Sequence, residues 1–188
     1  MLRLVIFDRD GTLIKDSGYL IEFKDISWTT GALKLLSFLS DHGIHVAVAT
    51  NQSGIARGYF TFDRVHELHT MMSDKVRAEG GRIDAYAICP HLSGGDVAEY
   101  AVDCDCRKPK PLLIKQLLEK FQVSPESAVM FGDRESDVLA GQAAGVKSFL
   151  YEGGDLFDFV TRAVHLESQG GNGTKVKMPV FDLWSGDK

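Results

Sequence analysis

The sequence predicts a doubly wound α/β fold with a mainly parallel sheet, and three observations carry that prediction. Five short apolar runs recur along the 188 residues, each continuous rather than alternating, as in strands buried on both faces of a parallel sheet. The segments between them repeat their apolar residues with a helical period, and strand–helix–strand in series builds a sheet with crossover helices. Three of the runs end in clusters of polar residues, which the carboxyl ends of parallel strands would bring to one edge.

The elements follow in order. The first run is Leu4-Val5-Ile6-Phe7. Ala32, Leu35, Leu36 and Leu39 then form a stripe, and Gly43 stands where that helix should stop. Val46-Ala47-Val48-Ala49 is the second run. Val65, Leu68, Met72 and Val76 form the next stripe, after Thr61 as a cap and before Gly80-Gly81. Ala85-Tyr86-Ala87-Ile88 is the third run, and the stripe Ile114, Leu117, Leu118, Phe121 is opened by Pro109 and Pro111. Ala128-Val129-Met130-Phe131 is the fourth run, followed by a helical region over 136–144, a fifth run over 146–150 and a weaker helical pattern over 155–166. One domain over 1–167 is expected, with 168–188 a tail to which no role is assigned. In that tail Gly170-Gly171-Asn172-Gly173 reads as a turn, and Val180-Phe181-Asp182-Leu183-Trp184 as an apolar patch that packs back onto the domain.

Composition narrows the classes. Hydrophobic residues make up 44%, ordinary for a globular chain. The net charge of -5 disfavours a nucleic-acid partner, which usually meets a basic surface. No apolar stretch is long enough to span a bilayer, and residues 1–7 are too short for a signal-peptide core. A cytoplasmic monomer is expected, with neither membrane nor nucleic acid as partner.

The polar clusters carry the chemistry. The first run leads into Asp8-Arg9-Asp10-Gly11-Thr12, the second into Thr50-Asn51-Gln52-Ser53, and the fourth into Gly132-Asp133 with Asp137 close behind. One edge thus gathers Asp8, Asp10, Thr50, Asp133 and Asp137. Carboxylates side by side repel one another unless a cation lies between them, and hard oxygen ligands suit Mg²⁺. An isolated Asp-x-Asp commonly marks a solvated turn or cap; here three strand ends agree. Lys108, before Pro109 at a helix start, would be ordinary surface charge alone but can reach a phosphate in this company.

The three cysteines, Cys89, Cys104 and Cys106, argue against a disulfide framework by their odd number. Cys89-Pro90-His91 and Cys104-Asp105-Cys106 are separated by twelve residues. Two close ligand pairs joined by a loop make a Zn²⁺ pattern of three thiolates and one imidazole, a closed and therefore structural site. The alternative is three buried free cysteines and a surface histidine. A zinc at Cys106 would pin the loop that presents Arg107 and Lys108. His66 and His69 share a helix without a third ligand, and His42, His45 and His165 stand alone; none is assigned a role.

The order Asp8-Arg9-Asp10-Gly11-Thr12, Thr50, Lys108, Gly132-Asp133 with Asp137 resembles the four-motif signature of the haloacid dehalogenase superfamily. The resemblance implies that Asp8 is the nucleophile, forming an aspartyl phosphate. Asp10 would act as general acid and then general base, and Thr50 and Lys108 would stabilise the phosphoryl oxygens. Mg²⁺ would be held by Asp8, Asp133 and the backbone carbonyl of Asp10. The segments after the first motif and between Thr50 and Lys108 leave no room for a large cap domain.

Thr50-Asn51-Gln52-Ser53-Gly54-Ile55-Ala56-Arg57-Gly58, the flap Ser17-Gly18-Tyr19 and the cysteine motifs narrow the likeness to the heptose bisphosphate phosphatases, over residues 4–150. That resemblance implies a phosphorylated sugar as substrate, D-glycero-D-manno-heptose 1,7-bisphosphate losing its 7-phosphate on the way to nucleotide-heptose. It also implies substrate contacts from Asp16, Ser17, Gly18, Tyr19, Asn51, Gln52, Ser53, Arg107 and Arg134. Histidinol-phosphate phosphatases share the metal motifs with a shorter zinc loop and are the alternative. A polynucleotide phosphatase and a non-catalytic binding protein are the readings of other classes. Arg134 stands where the family commonly has Lys, and Ser17 where it commonly has His.

Overall fold

The computed structural model describes residues 1–20 and 22–165. The expected tail over 168–188, with its turn and apolar patch, lies outside the described residues. Five strands, β1 (Leu4–Phe7), β2 (His45–Asn51), β3 (Ala85–Cys89), β4 (Ala128–Gly132) and β5 (Lys147–Leu150), form one sheet in the order β3-β2-β1-β4-β5. Every pairing is parallel. The helices are α1 (Ala32–Asp41), α2 (Phe62–Ala78), α3 (Leu112–Phe121), α4 (Glu135–Ala143) and α5 (Leu156–Ala163).

Alternation along the strands divides the core into two layers. Val5, Phe7, Val46, Val48, Val129 and Phe131 face α1 and α5, where Leu35, Leu36, Leu39, Leu156, Phe157 and Val160 cover them. Leu4, Ile6, Ala47, Ala49 and Met130 face α3 and α4, under Leu113, Ile114, Leu117 and Ala140. Each fully buried Val, Leu, Ile, Phe or Met among them contributes about 1.5–3 kcal/mol over leaving it in water, so the three central strands anchor the sheet.

The outer strands depart from the expectation of burial on both faces. β3 is half-buried over four of its five residues, and both ends of β5 are exposed, because an edge strand has a neighbour on one side only. Pro109 and Pro111 stand at the opening of α3, with Pro111 at the N-cap. One further boundary differs: β2 runs two residues beyond Ala49, and Asn51 pairs with Cys89 of β3. Thr61 caps α2 as expected, accepting from the Arg64 amide at 3.1 Å.

The chain leaves β1, builds β2 and β3 on one side, then returns to build β4 and β5 on the other. The reversal falls between β1 and β4, the point where open parallel sheets hold ligands at the carboxyl ends of their strands. After β1 the chain doubles back: the Lys15 amide donates to Ser27 and that of Thr29 to Leu13. Ile14 and Leu20 pack on Leu68 and Met72 of α2 below this flap. Among the described residues no helix is long and apolar enough to cross a membrane.

Candidate active site

A cleft of about 500 Å³ opens over this edge of the sheet, and Asp8, Asp10, Thr50 and Lys108 line it. β1 delivers Asp8 one residue beyond Phe7, and the Asp8 amide donates to Phe131 of β4 at 2.9 Å. Lys108 arrives from the loop before α3. Its buried ammonium donates to Asp8 Oδ1 at 2.5 Å and to the Ala49 carbonyl at 2.6 Å, and it pairs with Asp137 Oδ1 at 2.6 Å. All three N–H groups of the ammonium are thereby engaged, which a buried charge requires.

Asp137 also accepts from the Arg134 amide at 3.0 Å, capping α4. It therefore holds both the helix start and the lysine. Burial pushes the Asp8 carboxyl up to about 7, with Lys108 pulling it down and Asp137 and Asp10 pushing it further up. Burial likewise raises Asp133.

Asp8, Asp133 and Asp137 bring carboxylate oxygens within 4.8 Å of one another. The close approach of Asp133 depends on Gly11: a Cβ there would lie 2.2 Å from Asp133 Oδ2, and its φ of 85° is one that only glycine adopts freely. The donor set is hard oxygen in a crevice built around a missing side chain. A divalent cation between Asp8 and Asp133 would offset the burial that holds both carboxyls up.

Asp10 is held from behind. Its Oδ2 accepts from Arg9 Nη2 at 2.9 Å, Arg9 Nε at 3.1 Å and Gln52 Nε2 at 2.9 Å. Its Oδ1 accepts from Arg9 Nε alone, at 3.1 Å. Gln52 also donates to Thr50 Oγ1 at 2.8 Å and accepts from Arg9 Nη2 at 2.9 Å.

The expected substrate residues divide into three groups. Asp16, Gly18, Tyr19, Ser53, Arg107 and Arg134 line the cleft, where Arg134 bridges to Asp16 at 2.9 Å across its mouth. Asn51 and Gln52 also border it, but their side chains are engaged by the protein. Asn51 donates to the Lys108 carbonyl and accepts from the Lys108 amide, both at 3.1 Å. Ser17 is exposed and outside the lining. The flap tip carries an aromatic cluster, with Tyr19 edge-on to Tyr59 at 4.6 Å.

Cys89, His91, Cys104 and Cys106 converge as the spacing predicts. Neighbouring donor atoms lie 3.2–3.8 Å apart, with the histidine contributing Nδ1. Those separations are close to the edges of a tetrahedron around one metal, roughly 3.8 Å for thiolates bound at about 2.3 Å. Burial raises the Cys89 thiol, which a bound cation would offset. The loop is tied to the cleft on two sides: Arg107 donates to the His91 carbonyl at 3.1 Å, and the Val97 amide to Ala56 at 2.9 Å.

Sequence reasoning passed over Arg9 and His69. His66 is exposed, whereas His69 is buried and its Nε2 lies 3.1 Å from Arg9 Nη1. The available signal was spacing, since position 69 falls on the stripe of Val65, Leu68, Met72 and Val76.

Comparison with known proteins agrees with this geometry. A family model described as "HAD-hyrolase-like" matches residues 105–175. The D-glycero-beta-D-manno-heptose-1,7-bisphosphate 7-phosphatase of Pasteurella multocida (strain Pm70) is 38% identical over 148 residues, 79% of this chain and 80% of that protein. The D-glycero-alpha-D-manno-heptose-1,7-bisphosphate 7-phosphatase of Photorhabdus laumondii subsp. laumondii is 34% identical over 154 residues, 81% of this chain and 84% of that protein. Among solved structures, D,D-heptose 1,7-bisphosphate phosphatase from B. bronchiseptica, complexed with magnesium and phosphate, matches with a TM-score of 0.72 at 28% identity, covering 86% of this chain and 87% of that one.

Proposed function

The chain belongs to the haloacid dehalogenase-like phosphatases, in the family of the heptose bisphosphate phosphatases, and on that premise we propose that it removes the 7-phosphate of D-glycero-D-manno-heptose 1,7-bisphosphate through an aspartyl phosphate. The observation that carries the chemistry is the pairing of Lys108 with Asp8 beside Asp10 in one cleft. The names of the relatives support the sugar.

In the first half-reaction a carboxylate oxygen of Asp8 attacks phosphorus, and the bond to the sugar oxygen breaks. That oxygen takes a proton from Asp10. Oδ2 already accepts from three N–H groups and Oδ1 from one, so Oδ1 is the oxygen that carries the transferable proton. In the second half-reaction Asp10 takes a proton from water as the water oxygen attacks phosphorus, and Asp8 leaves as carboxylate. Lys108 and Thr50 stabilise the transferring oxygens, and Lys108 orients Asp8 for attack.

Asp8, Asp133 and the Asp10 backbone carbonyl fit Mg²⁺, which when bound would neutralise charge on the phosphoryl group. Cys89, His91, Cys104 and Cys106 fit a structural Zn²⁺ that holds the loop bearing Arg107 and Lys108. The primary carbon of the 7-phosphate lets it reach Asp8 while the ring and the 1-phosphate lie outward, toward the flap and Arg107.

Release of inorganic phosphate from the heptose bisphosphate, measured for both anomers in Mg²⁺, tests the reading. Rapid turnover with the 1-phosphate retained is the expected result. Removal of the 1-phosphate instead, or no turnover, would overturn it.

A further inference from the structure

We propose that His69 is a positioning residue for the proton-transfer step: its neutral imidazole accepts from Arg9, and Arg9 in turn sets the rotamer of Asp10 and of Gln52. The inference rests on the reading of Asp10 as general acid and base.

Arg9 is only 1% exposed, and its guanidinium is always charged. Its donors are distributed over three residues. Nε and Nη2 go to Asp10, Nη2 also to Gln52, and Nη1 to His69 Nε2 at 3.1 Å. For Nη1 to donate, His69 Nε2 must be unprotonated, since an imidazolium would set two cations in contact. Burial, and then Arg9 itself, hold the imidazole down to about 2, which agrees with a permanent acceptor.

The neutral ring then carries its proton on Nδ1, and that buried atom has no hydrogen-bond partner among the described residues. An unsatisfied buried donor carries the full cost of its lost hydration. An apolar residue on this stripe of α2 would avoid the cost and fill the same space. The ring also lies flat on Tyr86, 4.1 Å between centroids and 13° between planes. What the histidine supplies, and an apolar side chain cannot, is the Nε2 lone pair.

That lone pair fixes the far end of a lever. Asp10 Oδ2 is saturated only while Arg9 presents Nε and Nη2 to it together, and Gln52 completes the set while reaching Thr50. Without an acceptor for Nη1 the guanidinium can rotate toward other partners. Oδ2 would then lose donors and the distinction between the two carboxylate oxygens would fade. Lys108 and Asp133 take no part in this network, and Thr50 meets it only as the acceptor for Gln52 Nε2, so substrate binding should change less than proton transfer.

The test compares a leaving group that needs a proton with one that does not. The rate of the first half-reaction, read as pre-steady-state release of the leaving group so that the common base step on water does not enter, and KM are measured for the heptose bisphosphate, an alkyl phosphate, and for p-nitrophenyl phosphate. His69→Phe keeps a ring on Tyr86 and removes the acceptor. It should lower that rate for the alkyl phosphate about tenfold or more, part of the roughly 10²–10⁴ that a general acid contributes. KM, and that rate for p-nitrophenyl phosphate, should stay within about threefold. His69→Gln, which offers a neutral oxygen acceptor, should restore much of the ratio. Arg9→Lys keeps the charge but cannot span His69 and both Asp10 oxygens, so the same ratio should fall even if His69→Phe does not fold.

Equal losses on both substrates, or an unchanged ratio in His69→Phe and Arg9→Lys, would overturn the inference. Asp10→Asn is the control for the reading beneath it. A selective loss in Asp10→Asn without one in the His69 and Arg9 variants removes the positioning role alone. No selective loss in Asp10→Asn removes the acid–base reading, and the inference with it.

Discussion

The ammonium of Lys108 donates to Asp8 Oδ1 at 2.5 Å from one hundred residues further along the chain. That contact joins the end of β1 to the loop before α3. On the proposed mechanism Asp8 is the nucleophile, so Asp8→Asn should abolish turnover with the fold retained, as followed by phosphate release and circular dichroism. Asp10→Asn should cost about 10²–10⁴ in kcat on an alkyl phosphate for want of proton transfer. Asp8→Asn activity above about a hundredth of the wild-type rate would remove Asp8 from its assigned role.

Gly11→Ala should weaken Mg²⁺ binding. The added Cβ would meet Asp133 Oδ2 at 2.2 Å, and the φ of 85° would be strained for alanine. Activity titrated against Mg²⁺ should shift to higher metal concentration by about tenfold or more, with Ca²⁺ a poor substitute because it prefers more ligands at longer distance. An unchanged titration would show that Asp133 does not depend on this approach.

Zinc should be present at about one atom per chain, as four converging protein ligands imply. Cys104→Ser should lower the zinc content. Because Arg107 is tied to the His91 carbonyl, it should also raise KM for the bisphosphate in the same direction as Arg107→Ala. Metal analysis that finds no zinc in active protein would contradict the assignment.

kcat/KM for the heptose bisphosphate should exceed that for histidinol phosphate. The cleft sets Arg107 and Arg134 beside the flap, and two cations favour an anionic second end over an amine. Arg107→Ala should raise KM for the bisphosphate more than for a simple monophosphate. A kcat/KM for histidinol phosphate at or above that for the bisphosphate would reverse the order of the two readings.

His69 should make the fold acid-sensitive. Its ordinary value is 6.5, and in the folded chain burial and Arg9 hold it down to about 2. Between those values the unfolded chain binds the extra proton. The contribution to stability is therefore full above pH 6.5 and is lost progressively as pH falls toward 2. The slope approaches about 1.4 kcal/mol per pH unit. Urea unfolding at pH 7, 6, 5 and 4 should show wild type losing ground to His69→Gln across that range. Parallel curves would mean that His69 is solvated or protonated in the folded state.

Much of the active site could be read from the residues in order, because strand ends in a parallel sheet translate directly into spatial proximity. Asp8, Thr50 and Asp133 each follow a buried apolar run, so once those runs are strands the three must share an edge. The cysteine cluster was legible for a similar reason: four metal-type ligands in two close pairs have few other uses. The extended β2 was not legible. Thr50 and Asn51 are polar, and only pairing with Ile88 and Cys89 draws them into the strand.

The sequence by itself determined the alternation of strands and helices, the edge at which the carboxylates meet and the convergence of Cys89, His91, Cys104 and Cys106, since these depend on local periodicity and on chain connectivity. Tertiary structure alone decided what the polar side chains face. Asn51 and Gln52 read as substrate contacts and border the cleft; what the sequence could not show is that Asn51 also holds the Lys108 backbone and Gln52 joins Asp10 to Thr50. His69 read as one more histidine on a helix, yet it meets Arg9 across sixty residues. Helical period shows that a residue points inward. A buried polar group, however, is satisfied by whatever donor or acceptor another element brings within about 3 Å, and that pairing does not exist until the elements pack.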